Sequence, residues 1–391
     1  MLPARIYLDH AATTAIYPVV AERLVEDLQK LGNPSSIHTA GQSARAMLEG
    51  AREDLARILN CDRQEVIFTS GGTEADNLAI KGLYWAAIER NPERNIIVSA
   101  YTEHHAVIDP IEWLEKHQGA KAHWISVNEQ GEIDYEELHQ FVQQNHDKIA
   151  LISLMWSNNE TGVLTDVRKA AAMAVEFNIP FHTDAVAAFG HTEVTFFPGL
   201  AAMSLSAHKV GGPVGVGALI VARSAKLQSV QQGGGQERDL RGGTMNAAGA
   251  RAFASAARMS HSKLATDGWA RHDLLSHLTT GVASIVTNAR FSRGSAPGVP
   301  DLAHFTFPGC SGDSMLYLFD QHDIAVSTGS ACTAGVARAS HVLIAMGRTE
   351  AEATGTLRIS LGRDTTKSEI DEFLRVLPEV HSAALKAGLT A

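Results

Sequence analysis

The chain reads as an α/β protein: a large domain on a mostly parallel sheet, joined to a smaller α+β domain. Short apolar runs of strand length alternate with segments of helical periodicity through roughly the first two thirds of the sequence. Beyond that the texture changes to a polar helical stretch and a less regular remainder. At 391 residues the chain is long enough for two lobes with separate cores.

Each element has its own signal. Tyr17 to Leu31 carries apolar residues at Val20, Leu24 and Leu28, the spacing of one helix face. Ala44, Leu48, Ala51, Leu55 and Ile58 repeat that spacing in the next helix. The runs Val66-Ile67-Phe68, Ile96-Ile97-Val98, Leu151-Ile152-Ser153-Leu154 and Ala218-Leu219-Ile220-Val221 have strand length, and helical segments lie between most of them. Strands separated by helices argue for a mostly parallel sheet covered on both faces. A polar helix is expected near Ser260 to Thr280, followed by strands at His304-Phe305-Thr306-Phe307 and Leu357-Arg358-Ile359. The expected division is a large domain over 16–260 and a small domain from 1–15 and 261–391.

Bulk properties exclude several classes. Hydrophobic residues make up 45% and charged residues 19%, with a formal net charge of −10. That balance has no basic footprint for nucleic acid and no polybasic patch for an anionic membrane. No apolar run is long enough to span a bilayer. The start Met1-Leu2-Pro3-Ala4-Arg5-Ile6 lacks a signal-peptide pattern, so a cytoplasmic location is expected. Cys61, Cys310 and Cys332 are scattered and odd in number. They read as reduced thiols without the clustered spacing of a metal site, and no metal is expected.

In an open α/β sheet, ligands bind at the carboxyl ends of the strands. Four such ends carry suggestive residues. Thr69-Ser70-Gly71-Gly72-Thr73-Glu74 is a strand, a Gly turn and a helix start, where free N–H groups and a hydroxyl suit a phosphate. A plain helix cap by Ser70 or Thr73 explains the same residues. His182-Thr183-Asp184 ends a strand with an acid that suits a protonated ring nitrogen, or caps the next helix. Ser204-Leu205-Ser206-Ala207-His208-Lys209 places a lysine before a Gly-rich turn, where burial would make it a nucleophilic amine. Thr102-Glu103-His104-His105 offers an imidazole for stacking or proton transfer.

A fifth segment differs in kind. Cys332 sits in Ser327-Thr328-Gly329-Ser330-Ala331-Cys332-Thr333-Ala334-Gly335, among small residues with Gly on both sides. A thiol displayed that way is expected on a mobile loop, at about 326–340, where it can work at two places.

Together these segments resemble the cysteine desulfurases, in the aminotransferase class V group of fold-type I pyridoxal phosphate enzymes. The resemblance runs from Tyr7-Leu8-Asp9-His10-Ala11-Ala12-Thr13-Thr14 to Ile359-Ser360-Leu361-Gly362-Arg363. It also includes Gly32-Asn33-Pro34-Ser35-Ser36, Asn158-Asn159-Glu160-Thr161-Gly162 and Arg241-Gly242-Gly243-Thr244, in the same order as in the family. The Cys332 loop looks like the long loop of the NifS/IscS-type branch. The resemblance implies that Lys209 carries pyridoxal 5'-phosphate covalently and moves the α-proton of bound L-cysteine. Asp184 pairs with the pyridine nitrogen, and His104 stacks on the ring. Gly72, Thr73, Ser206 and His208 hold the phosphate, with Thr244 supplied by the neighbouring subunit of a homodimer. Asn159 and Arg358 grip the substrate carboxylate, and Cys332 takes the sulfur as a persulfide. A sulfur-acceptor protein such as an iron–sulfur scaffold is the implied partner.

Two features depart from the family pattern. The family usually places a glutamine three residues after the strand-end aspartate, where it donates to the cofactor's phenolic oxygen; this chain has Ala187. Losing one such hydrogen bond costs about 1 kcal/mol. The sequence closes at Leu389-Thr390-Ala391, without the extended tail of relatives that dock a scaffold, which leaves the acceptor's identity open. Cys61 reads as a packed thiol, and Cys310, on a turn, as an exposed candidate for a redox or relay role. Competing readings are a selenocysteine lyase, another class V enzyme, or a sulfur-binding scaffold without turnover.

Overall fold

The computed structural model describes residues 5–329 and 339–388 of the chain. Within them the strands are β1 (Ile6–Tyr7), β2 (Val66–Thr69), β3 (Ile96–Ala100), β4 (Lys121–Ile125), β5 (Ile149–Ser153), β6 (Phe181–Asp184), β7 (Ala202–Ser206), β8 (Gly217–Val221), β9 (Arg290–Phe291), β10 (Leu302–Thr306), β11 (Ile324–Ala325) and β12 (Thr356–Ser360). The helices are α1 (Pro18–Leu28), α2 (Thr39–Leu59), α3 (Gly72–Arg90), α4 (His105–Gln118), α5 (Tyr135–Asn145), α6 (Val167–Glu176), α7 (Ala247–Ile285), α8 (Gly312–Gln321), α9 (His341–Ala345), α10 (Glu350–Thr354) and α11 (Lys367–Gly388).

Seven strands form one sheet in the order β2-β8-β7-β6-β5-β3-β4. Its neighbours pair in parallel except β8, which runs antiparallel to both β2 and β7. Strands β2, β5, β6, β7 and β8 are buried at every position, and β2, β5 and β8 accordingly read as nearly continuous apolar runs in the sequence. One face packs a core that includes Leu48, Leu55, Phe68, Phe181 and Phe253. The other face, under α3 and α4, packs Ile67, Leu78, Tyr84, Ile97 and Ile111.

The remainder builds a second core around Leu8, Phe305, Phe307, Phe319 and Phe373. Here β12, β10 and β9 form an antiparallel sheet, and β1 pairs in parallel with β11. The division expected at residue 260 falls inside α7, a 39-residue helix that runs from the first core to the second. The polar stretch near Ser260 is therefore the middle of a longer helix. Its first part, with Ala250, Phe253 and Ala257, is buried in the first core beside α1 and α2.

The local starts and stops follow ordinary capping chemistry. Pro18 opens α1, where its missing N–H has no intrahelical partner to lose. Asp134 and Asp166 accept from backbone N–H groups at the starts of α5 and α6. Asn60 closes α2 in the left-handed region at φ 57°. The start of α3 is different. Its N-cap is Gly71, which has no side chain to cap the helix, and neither Ser70 nor Thr73 takes that role.

Candidate active site

Strands β2, β3, β5, β6 and β7 point the same way, so their carboxyl ends share one edge of the sheet. A cavity of about 400 Å³ opens there, within the size range of small-molecule sites. Its lining includes Gly72, Thr73, His104, Asn159, Asp184, Ala187, Ser206, His208, Lys209 and Arg358. Four segments that are distant in sequence therefore converge because their strands end on one edge of the same sheet.

Lys209 lies on the 3₁₀ turn Ala207–Lys209 that follows β7. Its Nζ donates to the backbone oxygens of Ala11, at 2.5 Å, and Ala12, at 3.0 Å. Burial, with Arg358 adding repulsion, pushes the amine down to about 8. This puts a substantial neutral fraction within reach of physiological pH, as a nucleophilic amine requires.

Asp184 ends β6 and does not cap a helix. Its Oδ1 accepts from Val186 N at 2.8 Å, a local turn that leaves the carboxyl facing the cavity. Burial raises it to about 6, so it is ionised at neutral pH. His104 caps α4 through Nδ1, which accepts from Ala106 N at 3.0 Å. Burial and then Lys209 push this imidazole down to about 4, so it is neutral with the proton on Nε2. His208 is likewise lowered to about 4, by burial and Lys209, and its Nδ1 lies 3.3 Å from Thr13 Oγ1.

At one end of the cavity, the uncapped start of α3 sits beside Ser206 and His208. Gly72 is required by space: a Cβ there would come within 2.7 Å of Val186 Cγ2. On the opposite wall Arg358 is held at two places. Nη1 donates to the Asn159 backbone oxygen at 2.9 Å and Nη2 pairs with Asp9 Oδ1 at 2.8 Å. Arg358 Nε and Asn159 Oδ1 are buried without a hydrogen-bond partner among the described residues. Buried polar groups of that kind are ready to receive a polar ligand.

Thr244 is not in this cavity. It lines a separate cleft of about 740 Å³ with Asn33, Pro34 and Arg251. Cys332 and the mobility expected of its loop lie outside the described residues, although Ser327 and Gly329, which precede it, line the cavity. Cys310 was expected to be exposed, but the turn that carries it is packed against α11. Its side chain is buried near the His381 carbonyl, and its thiol is pushed up to about 11 by burial, which makes it a poor nucleophile.

The sequence reading gave no role to Asp9, Ala11, Ala12 or Glu103, which stand in motifs it quoted, and it passed over Asp76, which lines the cavity. Asp76 had a signal: it falls on the stripe with Ala79, Ile80 and Leu83 that α3 buries. Asp9 stands in the N-terminal motif, but nothing local pairs it with Arg358, 349 positions away.

The chain belongs to the aminotransferase class-V family, whose model matches residues 6–373. Similar proteins narrow the kind of enzyme. An IscS-like cysteine desulfurase of Mycobacterium tuberculosis is 44% identical over 98% of both chains. A cysteine desulfurase IscS of Clostridium botulinum is 34% identical over 96% of this chain and 94% of its own. Among solved structures, a NifS-like protein superposes with a TM-score of 0.89 at 31% identity, covering 97% of this chain and 99% of its own. A NifS-like protein from Rickettsia africae gives 0.87 at 31% identity with the same coverage.

Enzymes of this family depend on pyridoxal phosphate, and the residues present fit that group. An uncapped helix start with hydroxyls suits its phosphate, a buried carboxylate suits its ring nitrogen, and a depressed lysine suits its aldehyde.

Proposed function

We propose that this chain is a cysteine desulfurase in which Lys209 carries pyridoxal phosphate and Cys332 receives the sulfur of L-cysteine. The observation that carries the reading is the convergence of Lys209, Asp184, His104 and the start of α3 on one cavity. In the overall reaction the Cβ–S bond of L-cysteine breaks and an S–S bond forms to Cys332 Sγ. L-alanine leaves with a proton on its Cβ, so the enzyme persulfide balances the change without an external oxidant.

When bound, the cofactor supplies an electron sink for charge developing on the substrate. The chain's own residues do the rest. Thr73, Ser206 and His208, with the N–H groups of α3, hold the phosphate, and Gly72 lets the helix start pack close to Val186. A Thr244 from a second copy of the chain completes that cradle in a homodimer. Asp184, ionised above about pH 6, keeps a proton on the ring nitrogen. Neutral His104 stacks on the ring, with Nε2 free to carry a proton. Lys209 Nζ takes the α-proton. Arg358 and Asn159 bind the substrate carboxylate; a guanidinium suits this through its paired donors.

The small domain, proposed as 1–15 and 261–391, contributes both Arg358 and the segment that holds Cys332. Delivery of sulfur onward requires an acceptor, proposed as an iron–sulfur scaffold or another thiol-bearing protein. No helix among the described residues is long and apolar enough to cross a membrane.

Purified protein mixed with L-cysteine and a reductant is expected to release sulfide and alanine in equal amounts. Cys332→Ala is expected to lose sulfide release while keeping the visible absorbance of the bound cofactor. Full sulfide release by that variant would defeat the proposal.

A further inference from the structure

Cys332 is flanked by two roots, Gly329 before it and Ser340 after it, and both meet the carboxyl of Glu160. Glu160 is 2% exposed and Ser340 is fully buried. Ser340 Oγ donates to Glu160 Oε2 at 2.5 Å, a distance typical of a hydroxyl bound to a carboxylate. The direction is fixed, because Ser340 Oγ also accepts from Leu343 N at 3.2 Å as the cap of α9. One position on, His341 Nε2 donates to the Glu103 backbone oxygen at 2.9 Å. Gly329, at φ 86°, packs beside the same carboxyl: a Cβ there would lie 3.5 Å from Glu160 Oε2. Just before it, Ser327 and Arg358 exchange backbone hydrogen bonds at 3.2 and 2.7 Å, and the Thr328 oxygen accepts from Thr356 Oγ1 at 3.1 Å.

The turn that carries Glu160 is itself held firmly. Asn158 Oδ1 accepts from Glu160 N at 3.0 Å and from Thr161 N at 2.8 Å. Asn158 Nδ2 donates to the Thr102 oxygen at 2.8 Å, which ties this turn to the segment bearing His104. Adjacent residues of the turn then do different things. Asn159 lines the cavity, and its backbone oxygen accepts from Arg358 Nη1, whereas Glu160 is not part of the cavity wall. One short turn therefore holds both the guanidinium proposed to grip substrate and the root that follows Cys332. A buried carboxyl is costly to desolvate, and an apolar pair would fill the same space without that cost. What the polar contact adds is a single geometry for Ser340.

We propose that Glu160 is a positioning residue for sulfur transfer: by holding Ser340 it fixes the root of the segment that presents Cys332 to substrate. A tethered thiol acts at an effective concentration set by where its tether is anchored. The anchor at Glu160 stands next to Asn159 and Arg358, so thiol and substrate are referred to the same turn. This rests on the reading of Cys332 as the sulfur acceptor and of Arg358 and Asn159 as the substrate's anchors.

The test mixes holoenzyme with a range of L-cysteine concentrations without reductant, and follows the gain of one sulfur on Cys332 by mass spectrometry through the first turnover. Maximum rate and half-saturating concentration are read separately, with cofactor absorbance and melting temperature alongside. Glu160→Ala and Ser340→Ala are each expected to lower the maximum rate about tenfold, the scale of one hydrogen bond to a charged group. Half-saturation should stay within about twofold of wild type, and the cofactor spectrum should be unchanged. The double variant should lose no more than Glu160→Ala alone, because both substitutions remove one contact. Glu160→Gln keeps an acceptor oxygen for Ser340 and should stay within about threefold of wild type. A wild-type maximum rate in Glu160→Ala or in Ser340→Ala would overturn the inference, and a fall in melting temperature alone would then mark Glu160 as a stability residue. Losses that multiply in the double variant, or a spectrum and half-saturation altered as much as the rate, would also overturn it. Wild type that gains no sulfur on Cys332 would instead overturn the reading of Cys332, and this inference with it. If Glu160→Ala does not fold, Ser340→Ala decides by the same split, with Glu160→Gln as its control.

Discussion

The floor of the cavity comes from one sheet, whereas its mouth is assembled from segments far apart in the chain. Asp184, Ser206 and the turn to Lys209 follow adjacent strands that are buried at every position. The mouth joins Asp9 and Ala11 from the N-terminal segment, Asn159 from the turn after β5, and Ser327 and Arg358 from the second core. A floor built on paired strands holds its groups to a fixed geometry, as covalent chemistry on a flat cofactor needs. A mouth built from separate segments can exchange partners. Arg358 shows this in its present contacts, since Asp9 occupies one side of a guanidinium that substrate would also use.

The contrast can be broken most forcefully at Arg358. Arg358→Ala is expected to raise KM for L-cysteine about a hundredfold, the scale of a lost charge-assisted hydrogen bond. The visible spectrum of the bound cofactor should stay unchanged, because the floor is untouched. A spectrum altered as much as KM would mean that mouth and floor are not separable. Steady-state kinetics and absorbance on the same preparation decide this.

The next effect belongs to the floor. On the proposed reading the free amine of Lys209 captures the cofactor, and that group is lowered to about 8. Below pH 8 its neutral fraction grows about tenfold per pH unit, and above it the fraction levels off. The initial rate of cofactor capture by apo protein should follow that curve between pH 6 and 9. A rate still rising steeply above pH 9 would place the lysine at its ordinary value.

The smallest effect is at Ala187, which lines the cavity near Asp184. Ala187→Gln would restore a donor to the cofactor's phenolic oxygen, worth about 1 kcal/mol. The pH midpoint of the visible band is expected to fall by about 0.7 unit, since 1.36 kcal/mol corresponds to one unit. An unmoved midpoint would show that another group already fills that role.

Much of the floor was legible beforehand, and the reason is local. A strand end followed by Gly71-Gly72-Thr73, by Asp184 or by His208-Lys209 is a short pattern whose geometry the neighbouring residues set. The different settings of Asp184 and Asp76 were not legible. Both are acids beside small residues, and only their surroundings separate them: a backbone N–H and Lys209 near one, a serine and a neutral histidine near the other. Cys310 teaches the same lesson in reverse. Its Pro308-Gly309 turn signals exposure, yet α11 covers it, because burial depends on what packs over a turn and not on the turn itself.

By itself the sequence determined the alternation of strands and helices, the glycine turn before α3, and which side chains stand at strand ends. Those are consequences of local periodicity and of backbone sterics. Tertiary structure alone decided that Lys209 would meet the carbonyls of Ala11 and Ala12 across 198 and 197 positions, and that Arg358 would meet Asp9 across 349. It also decided the charge each buried group carries. A carboxyl or an amine has no fixed protonation state in a sequence; burial and neighbouring dipoles assign it, and both exist only once the chain has folded.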